Sequence, residues 1–241
     1  MIALYIRNRY NKVVPDTKLE LKKELKDFVK HFPVRVIKKG QTVLFQGEVP
    51  RQVYIIKSGA IKAYNIDPNG EEKIIALVGT NEIMAPSWVF NKAPVALYYY
   101  DAFVDTEVYI LSREDLQNIL DTNKDALRAA FDRIVSVFIG SNIHINALEN
   151  SKSSQKIVNL LHYLTMRFGT TPKENKVTID LRLTQHDLAR MLGLTRETVA
   201  MELSRLKKQN ILSYKSQHYS VDTKALQRLH GEEGFAELEI E

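Results

Sequence analysis

Between Thr184 and Lys208 two stretches with helical apolar spacing meet at a single glycine, and a threonine opens each of them. Thr184 with Asp187 three residues on makes a near capping box, the signature of a helix start. Leu188, Ala189 and Leu192 define an inward face, and Gly193 supplies the left-handed residue on which a helix ends. Thr195 caps the second stretch, whose buried face is Val199, Leu203 and Leu206. The small Ala189 lets the two helices cross closely, and the glycine permits the sharp turn between them. An ordinary helical hairpin with a charged surface shares the apolar spacing. The capped, glycine-centred turn favours a helix-turn-helix.

In such a unit the second helix enters the major groove of DNA with its N-terminal residues against base edges. Arg196, Glu197, Ala200 and Met201 project from its outward side. Arginine reads guanine bidentately and glutamate accepts from the cytosine amino group. Thr184, Thr195 and Thr198, with the helix N-termini, suit phosphate contacts. Gln185, His186 and Arg205 complete the candidate set on the two helices. The run from Asn210 to Val221 reads as a β-hairpin, which makes the unit a winged helix-turn-helix. Lys215, Gln217 and His218 sit at the hairpin tip, with Lys215 in reach of a phosphate. Charge agrees with duplex DNA as partner. Ser151–His230 holds 14 Lys and Arg against 6 Asp and Glu, whereas Gly231–Glu241 has five glutamates and no basic residue.

Upstream the period changes twice. From Val34 to Leu111 short apolar or alternating runs predict strands at Val34–Ile37, Thr42–Phe45, Val53–Lys57, Ala60–Ile66, Lys73–Val78, Leu97–Val104 and Glu107–Leu111. Asp67-Pro-Asn-Gly70 is the clearest hairpin connection among them. From Arg113 to Asn150 the spacing becomes helical. Leu127, Phe131, Ile134, Phe138, Ser141, Ile145 and Leu148 are spaced 4, 3, 4, 3, 4 and 3 residues apart, an a/d seam with one polar member. Such a stripe either packs on the chain's own β region or pairs with a second copy, and its length and regularity favour a homodimer. The polar Ser151-Lys-Ser-Ser154 interrupts it. The expected order is an α+β chain: residues 1–112 with N-terminal helices and a β-roll, 113–150 a long dimerisation helix, and 151–241 the winged helix-turn-helix with its acidic tail.

Several chemistries are excluded. The chain has no cysteine, so disulfides, cysteine nucleophiles and cysteine-bound clusters are out. Its six histidines are scattered, without metal-ligand spacing, and no metal or cofactor is expected. No apolar run approaches the roughly 20 residues of a membrane span. Met1–Arg7 lacks the features of a signal peptide, which places the chain in the cytoplasm with no membrane partner.

The order of roll, long helix and winged helix-turn-helix resembles the CRP/FNR superfamily of bacterial transcription regulators. The likeness is carried by Leu194-Thr-Arg-Glu-Thr-Val199, and by Val43-Leu-Phe-Gln-Gly-Glu48, Val53-Tyr-Ile-Ile-Lys-Ser-Gly59 and Asn69-Gly-Glu71 in the roll. It implies a cupin-like, cyclic-nucleotide-binding-domain-like roll and a homodimer on a near-palindromic operator. It also implies contact with RNA polymerase, for which the loop Gly169–Asn175 is the candidate. By the resemblance Arg196 and Glu197 read bases and Thr198 contacts phosphate. Met201 stands where the family usually has a basic or other polar residue. Family members that bind cyclic nucleotides use a Gly-Glu pair and an Arg-Ser pair; Ala85-Pro86 and Ala96-Leu97 occupy those places, and no arginine lies between Lys92 and Leu111. A cyclic phosphate would lack its guanidinium partner.

Ala85, Pro86, Trp88, Leu97 and Tyr99 therefore form a candidate pocket for another effector, unless these residues simply fill and cover the roll. Two other functions stand beside the regulator that needs no cyclic AMP. One is a regulator answering to a cyclic nucleotide or other small ligand through a nonstandard pocket. The other is a β-barrel enzyme, which would need an acid–base cluster that Val34–Leu111, without histidine, does not offer.

Overall fold

A computed structural model describes residues 24–170 and 176–229. Strands β1 (Val34–Ile37), β7 (Thr106–Leu111) and β3 (Val53–Ser58) form one antiparallel sheet in the order β1-β7-β3. Strands β2 (Thr42–Leu44), β6 (Tyr99–Ala102), β4 (Ile61–Ile66) and β5 (Glu72–Val78) form a second, in the order β2-β6-β4-β5. The seven expected runs all contribute, with Leu97–Val104 shortened to four residues. Strand alternation divides the apolar residues of β3 and β7 between two cores. Ile56 and Val108 join Ile61, Ala63, Tyr100 and Ala102 inside the roll. Val53, Ile55, Tyr109 and Leu111 face outward onto α1 (Leu25–Val29), α3 (Arg113–Thr122) and the start of α4 (Lys124–Glu149). Burial on both faces explains why β3 and β7 read as continuous apolar runs.

Two turns show why their residues are needed. In the β4–β5 hairpin Asp67 Oδ1 accepts from the backbone N–H groups of Asn69 and Glu71, and Gly70 takes φ 82°. At Gly59, with φ 88°, a Cβ would lie 2.6 Å from the Asp105 carbonyl oxygen, so any side chain there must displace backbone.

The single helix expected from Arg113 to Asn150 is in fact two. Asn123 adopts an extended backbone, and its side chain accepts from the N–H groups of Asp125 and Ala126, which ends α3 and caps α4. The apolar spacing runs on across the break, so periodicity alone misses a residue whose side chain competes with the helical hydrogen bonds. Helices α1, α2 (Pro86–Val89) and α8 (Thr223–Leu229) also escape a periodicity argument, being at most seven residues long.

Beyond Asn150 come α5 (Ser153–Phe168), β8 (Lys176–Thr178), α6 (Gln185–Leu192), α7 (Arg196–Lys208), β9 (Leu212–Lys215), β10 (His218–Asp222) and α8. The short strands form an antiparallel sheet, β8-β10-β9. The interruption expected at Ser151 matches the gap between α4 and α5, yet the core does not stop there. Ala60, Ile74, Leu77 and Phe103 of the roll belong to the same buried cluster as Ile157, Leu161, Leu188, Leu203 and Val221.

A polar joint reinforces that shared core. Glu82, on the turn leaving β5 and 3% exposed, accepts from the Gly79 N–H, from Arg133 on α4 and from Arg167 on α5. Arg167 also donates to the Leu77 carbonyl at 3.1 Å. Nearby, His144 on α4 stacks on Tyr163 and its Nε2 lies 2.9 Å from the Met191 carbonyl oxygen on α6. Arg190 of α6 pairs with Glu72 of β5 at 2.8 Å.

Glu82→Ala would leave both guanidiniums without their buried counter-charge. The expected loss is about 3–5 kcal/mol, read as a lowered unfolding midpoint in chemical denaturation. His144 supplies a pH dependence. Burial holds its imidazole pKa below the ordinary 6.5, although carbonyls of Met191 and Ile75 pull the other way. The neutral form therefore belongs to the fold. Its contribution is intact above the unfolded-state pKa and is lost as pH falls through the lowered folded value. The melting temperature should drop as pH falls below the ordinary imidazole value of 6.5, with a shallower drop in His144→Gln; equal slopes would remove His144 from this role.

Candidate nucleic-acid interface

Local chemistry builds the helix-turn-helix as its residues require. The Thr184 hydroxyl accepts from the Asp187 N–H at 3.1 Å, and the Asp187 carboxylate accepts from the Thr184 N–H at 2.8 Å, a complete capping box. Gly193 ends α6 at φ 61°, and its N–H and that of Leu194 both bond to the Ala189 carbonyl. Nothing lies within 4 Å of where a Cβ would sit, so the backbone angle and not space demands glycine here. Thr195 caps α7, accepting from the Thr198 N–H at 3.2 Å, and the two hydroxyls lie 2.9 Å apart. Leu188, Ala189 and Leu192 face Val199, Leu203 and Leu206 in the buried cluster.

The opposite side of α7 is open. Arg196, Glu197 and Met201 are exposed and Ala200 is half-buried. Ser204, Lys207 and Lys208 extend the same open side. Ser204 and Lys208 were absent from the sequence-based set, although their spacing from Glu197 and Met201 puts them in one outward row. His186 is exposed at the start of α6, with Thr184, Gln185 and Thr198 half-buried and Thr195 exposed. Arg205 is half-buried, its Nε held 2.9 Å from a carboxylate oxygen of Glu202.

Glu202 itself was missed. It resembles one more charged surface residue, yet it is buried and accepts from Ser153 Oγ at 3.0 Å, fixing α7 to the first turn of α5. No local pattern reveals this, because Ser153 lies 49 residues away.

The hairpin β9–β10 turns through Ser216 and Gln217, both with positive φ, as a two-residue turn of this hand requires. Lys215 and His218 flank the turn and are exposed. Gln217 is not free at the tip. Its carbonyl accepts from the Leu183 N–H and its side-chain oxygen from Arg182 Nε, both at 3.0 Å, which ties the wing to the segment entering α6. Lys207 Nζ lies 4.9 Å over the Tyr214 ring and links α7 to the wing. Arg182, Arg196, Lys207, Lys208 and Lys215 thus give the segment entering α6, the open side of α7 and the wing exposed positive charge.

The five residues expected to form an effector pocket fall into different surroundings. Ala85 is buried inside the roll, whereas Pro86 and Leu97 are exposed. Tyr99 stacks on Tyr64 at 5.3 Å near the surface. Trp88 packs in the other core, beside α3. Its ring lies 3.9 Å beneath the Arg113 guanidinium, in an outer groove of about 660 Å³ that also holds Val49, Arg51 and Lys92.

The α4 seam, in contrast, lies on one open face. Leu127, Phe131, Ile134, Phe138, Ile145 and Leu148 are all exposed, as is Val135, with Phe131 at 64% and Phe138 at 66%. Ser141 is half-buried and donates to the Val137 carbonyl. The alternative that this stripe packs on the chain's own roll is overturned: among the described residues none covers it.

Comparison with known proteins agrees with this architecture. Residues 34–123 match the family model of the cyclic nucleotide-binding domain, and residues 155–229 match that of the Crp-like helix-turn-helix domain. The global nitrogen regulator of Synechococcus elongatus is 24% identical over 189 residues, covering 78% of this chain and 85% of that protein. The fumarate and nitrate reduction regulatory protein of Yersinia pestis is 28% identical over 201 residues, covering 81% and 77%. The structure of FixK2 from Bradyrhizobium japonicum shares the fold, with a TM-score of 0.67 at 20% identity over 83% of this chain and 96% of that one. The two family models, together with relatives that are themselves regulators, establish the chain as a DNA-binding transcription regulator of the CRP/FNR superfamily.

Proposed function

We propose that the chain acts as a homodimer on a near-palindromic operator and needs no cyclic AMP. The observation that carries the dimer is the apolar seam of α4, left open to water over its whole length. An apolar face of this size and regularity marks an association surface. A second copy across that seam places two α7 helices in successive major grooves, about 34 Å apart. In this reading Arg196 and Glu197 contact base edges, Thr198 and the helix starts contact phosphates, and Lys215 and His186 meet the flanking backbone.

The independence from cyclic AMP is supported by the roll. The stretch that would hold the cyclic phosphate carries Ala96, buried, and Leu97, exposed, and no arginine follows before Arg113. A buried phosphate without a charge-assisted donor forfeits its main attraction. The protein works beside its DNA in the cytoplasm, with RNA polymerase as its further partner. Of the loop assigned to that contact, Gly169 and Thr170 are exposed and residues 171–175 lie outside the described residues, as do the chain start and the acidic tail.

Gel-shift on genomic fragments tests the reading. Binding should be selective, should weaken steeply with salt, and should not change when cyclic AMP is added; Arg196→Ala should cost about 1–3 kcal/mol and relax selectivity at one position per half-site. Binding that ignores sequence would sink the proposal, and tighter binding with cyclic AMP would sink its nucleotide-independent half. Replacing Phe131 and Phe138 together with Asp should yield monomers in sedimentation and weak DNA binding. Persistent dimers would move the interface off α4.

A further inference from the structure

Among the described residues beyond Asn150, Met201 is the one large hydrophobic side chain left exposed, at 62%. The other large hydrophobics of that region are buried or half-buried. Met201 stands in the middle of the outward row of α7, one turn after Glu197, one before Ser204 and two before Lys208, with Ala200 beside it. The row therefore runs polar, apolar, polar, cationic along the surface that faces away from the protein. A thioether donates no hydrogen bond and accepts only weakly, so it cannot satisfy the amino or carbonyl edges of a base pair. The major-groove floor offers one apolar feature, the C5 methyl of thymine.

We infer that Met201 is a specificity-determining residue that reads thymine through its C5 methyl, selecting a T·A pair at its position in each half-site. This rests on the reading that α7 enters the major groove. Selection works in both directions. Thymine buries its methyl against the Met201 side chain and the Ala200 methyl, so apolar area leaves water on both partners. Cytosine in the same place presents an amino donor, and guanine two acceptors, to a side chain that leaves them unpaired and desolvated. Arg196 and Glu197, one turn earlier, keep their own hydrogen-bonded positions, so the half-site combines polar reading at one step with methyl reading at the next.

Deoxyuridine isolates the claim, because it removes the methyl and leaves every hydrogen-bonding edge of thymine in place. The full-length protein selects its operator from a randomised duplex library. Each symmetric pair of thymines in that operator is then replaced by deoxyuridine, and affinity is measured by fluorescence anisotropy. At one pair the wild-type protein should weaken by about fourfold per half-site, roughly fifteenfold for both, the scale expected for one buried methyl. Met201→Ala should bind the parent operator less tightly and lose most of its response to that replacement. Circular dichroism should show it folded, since the side chain supports no core. Two results overturn the inference while leaving the groove reading intact: selective binding that ignores deoxyuridine at every position, or Met201→Ala with an undiminished response. If no sequence emerges from the library, the groove reading fails, and the inference falls with it.

Discussion

The carboxylate of Glu82 sits almost wholly out of water, and an unpaired ion so placed would cost several kcal/mol. Its counter-charges come from two separate helices, Arg133 on α4 and Arg167 on α5. The roll, the seam helix and the DNA-binding domain must therefore assemble together for all three groups to be paired. Geometry does the rest. Arg167 bonds both to Glu82 and to the Leu77 carbonyl, so the end of β5 and the last turn of α5 hold one fixed relation. Leu77 and Ile74, on the same strand, then meet the apolar side of the helix-turn-helix. The ionic joint gives direction to a contact that apolar burial alone would leave free to slide.

Much of the fold and of the candidate DNA-contacting surface is legible in the residues because their instructions are local. The capping pair Thr184 and Asp187, the turn residue Gly193 and the hairpin turn at Asp67 each act within a few positions of themselves. The α4 seam is visible for the same reason, since a heptad is a local count. The joint is not legible. Glu82 lies 51 residues from Arg133 and 85 from Arg167, and His144 lies 47 from Met191, so no short window of sequence contains both halves of these contacts. Glu202 hides in the same way behind its distant partner Ser153.

The effector residues show a different failure. Trp88, Leu97 and Tyr99 are near one another along the chain and chemically alike, which suggests one aromatic pocket. Strand alternation keeps Tyr99 out of the roll interior: Tyr98 and Tyr100 turn inward while Tyr99 turns to the opposite face against Tyr64, and Leu97 lies exposed ahead of the strand. The left-handed backbone at Ala85 then starts α2 in a direction that carries Trp88 into the neighbouring core. Asn123 makes a related point about helices. Apolar spacing reports which face is buried, not whether the backbone is continuous, and one asparagine side chain is enough to interrupt it.

The shared core has a thermodynamic corollary. Because the buried cluster runs without a gap from β5 into α6 and α7, the roll and the reading helix are not independent bodies joined by a tether. A displacement of α6 or α7 would press on Ile74, Leu77 and the Arg190–Glu72 pair, and through them on the sheet behind. Linkage is reciprocal. Any free energy that DNA binding spent in rearranging that junction would equal the free energy by which the same change in the roll altered affinity for DNA. Through that junction, packing alone would let the roll influence DNA binding, whether or not anything is bound inside it.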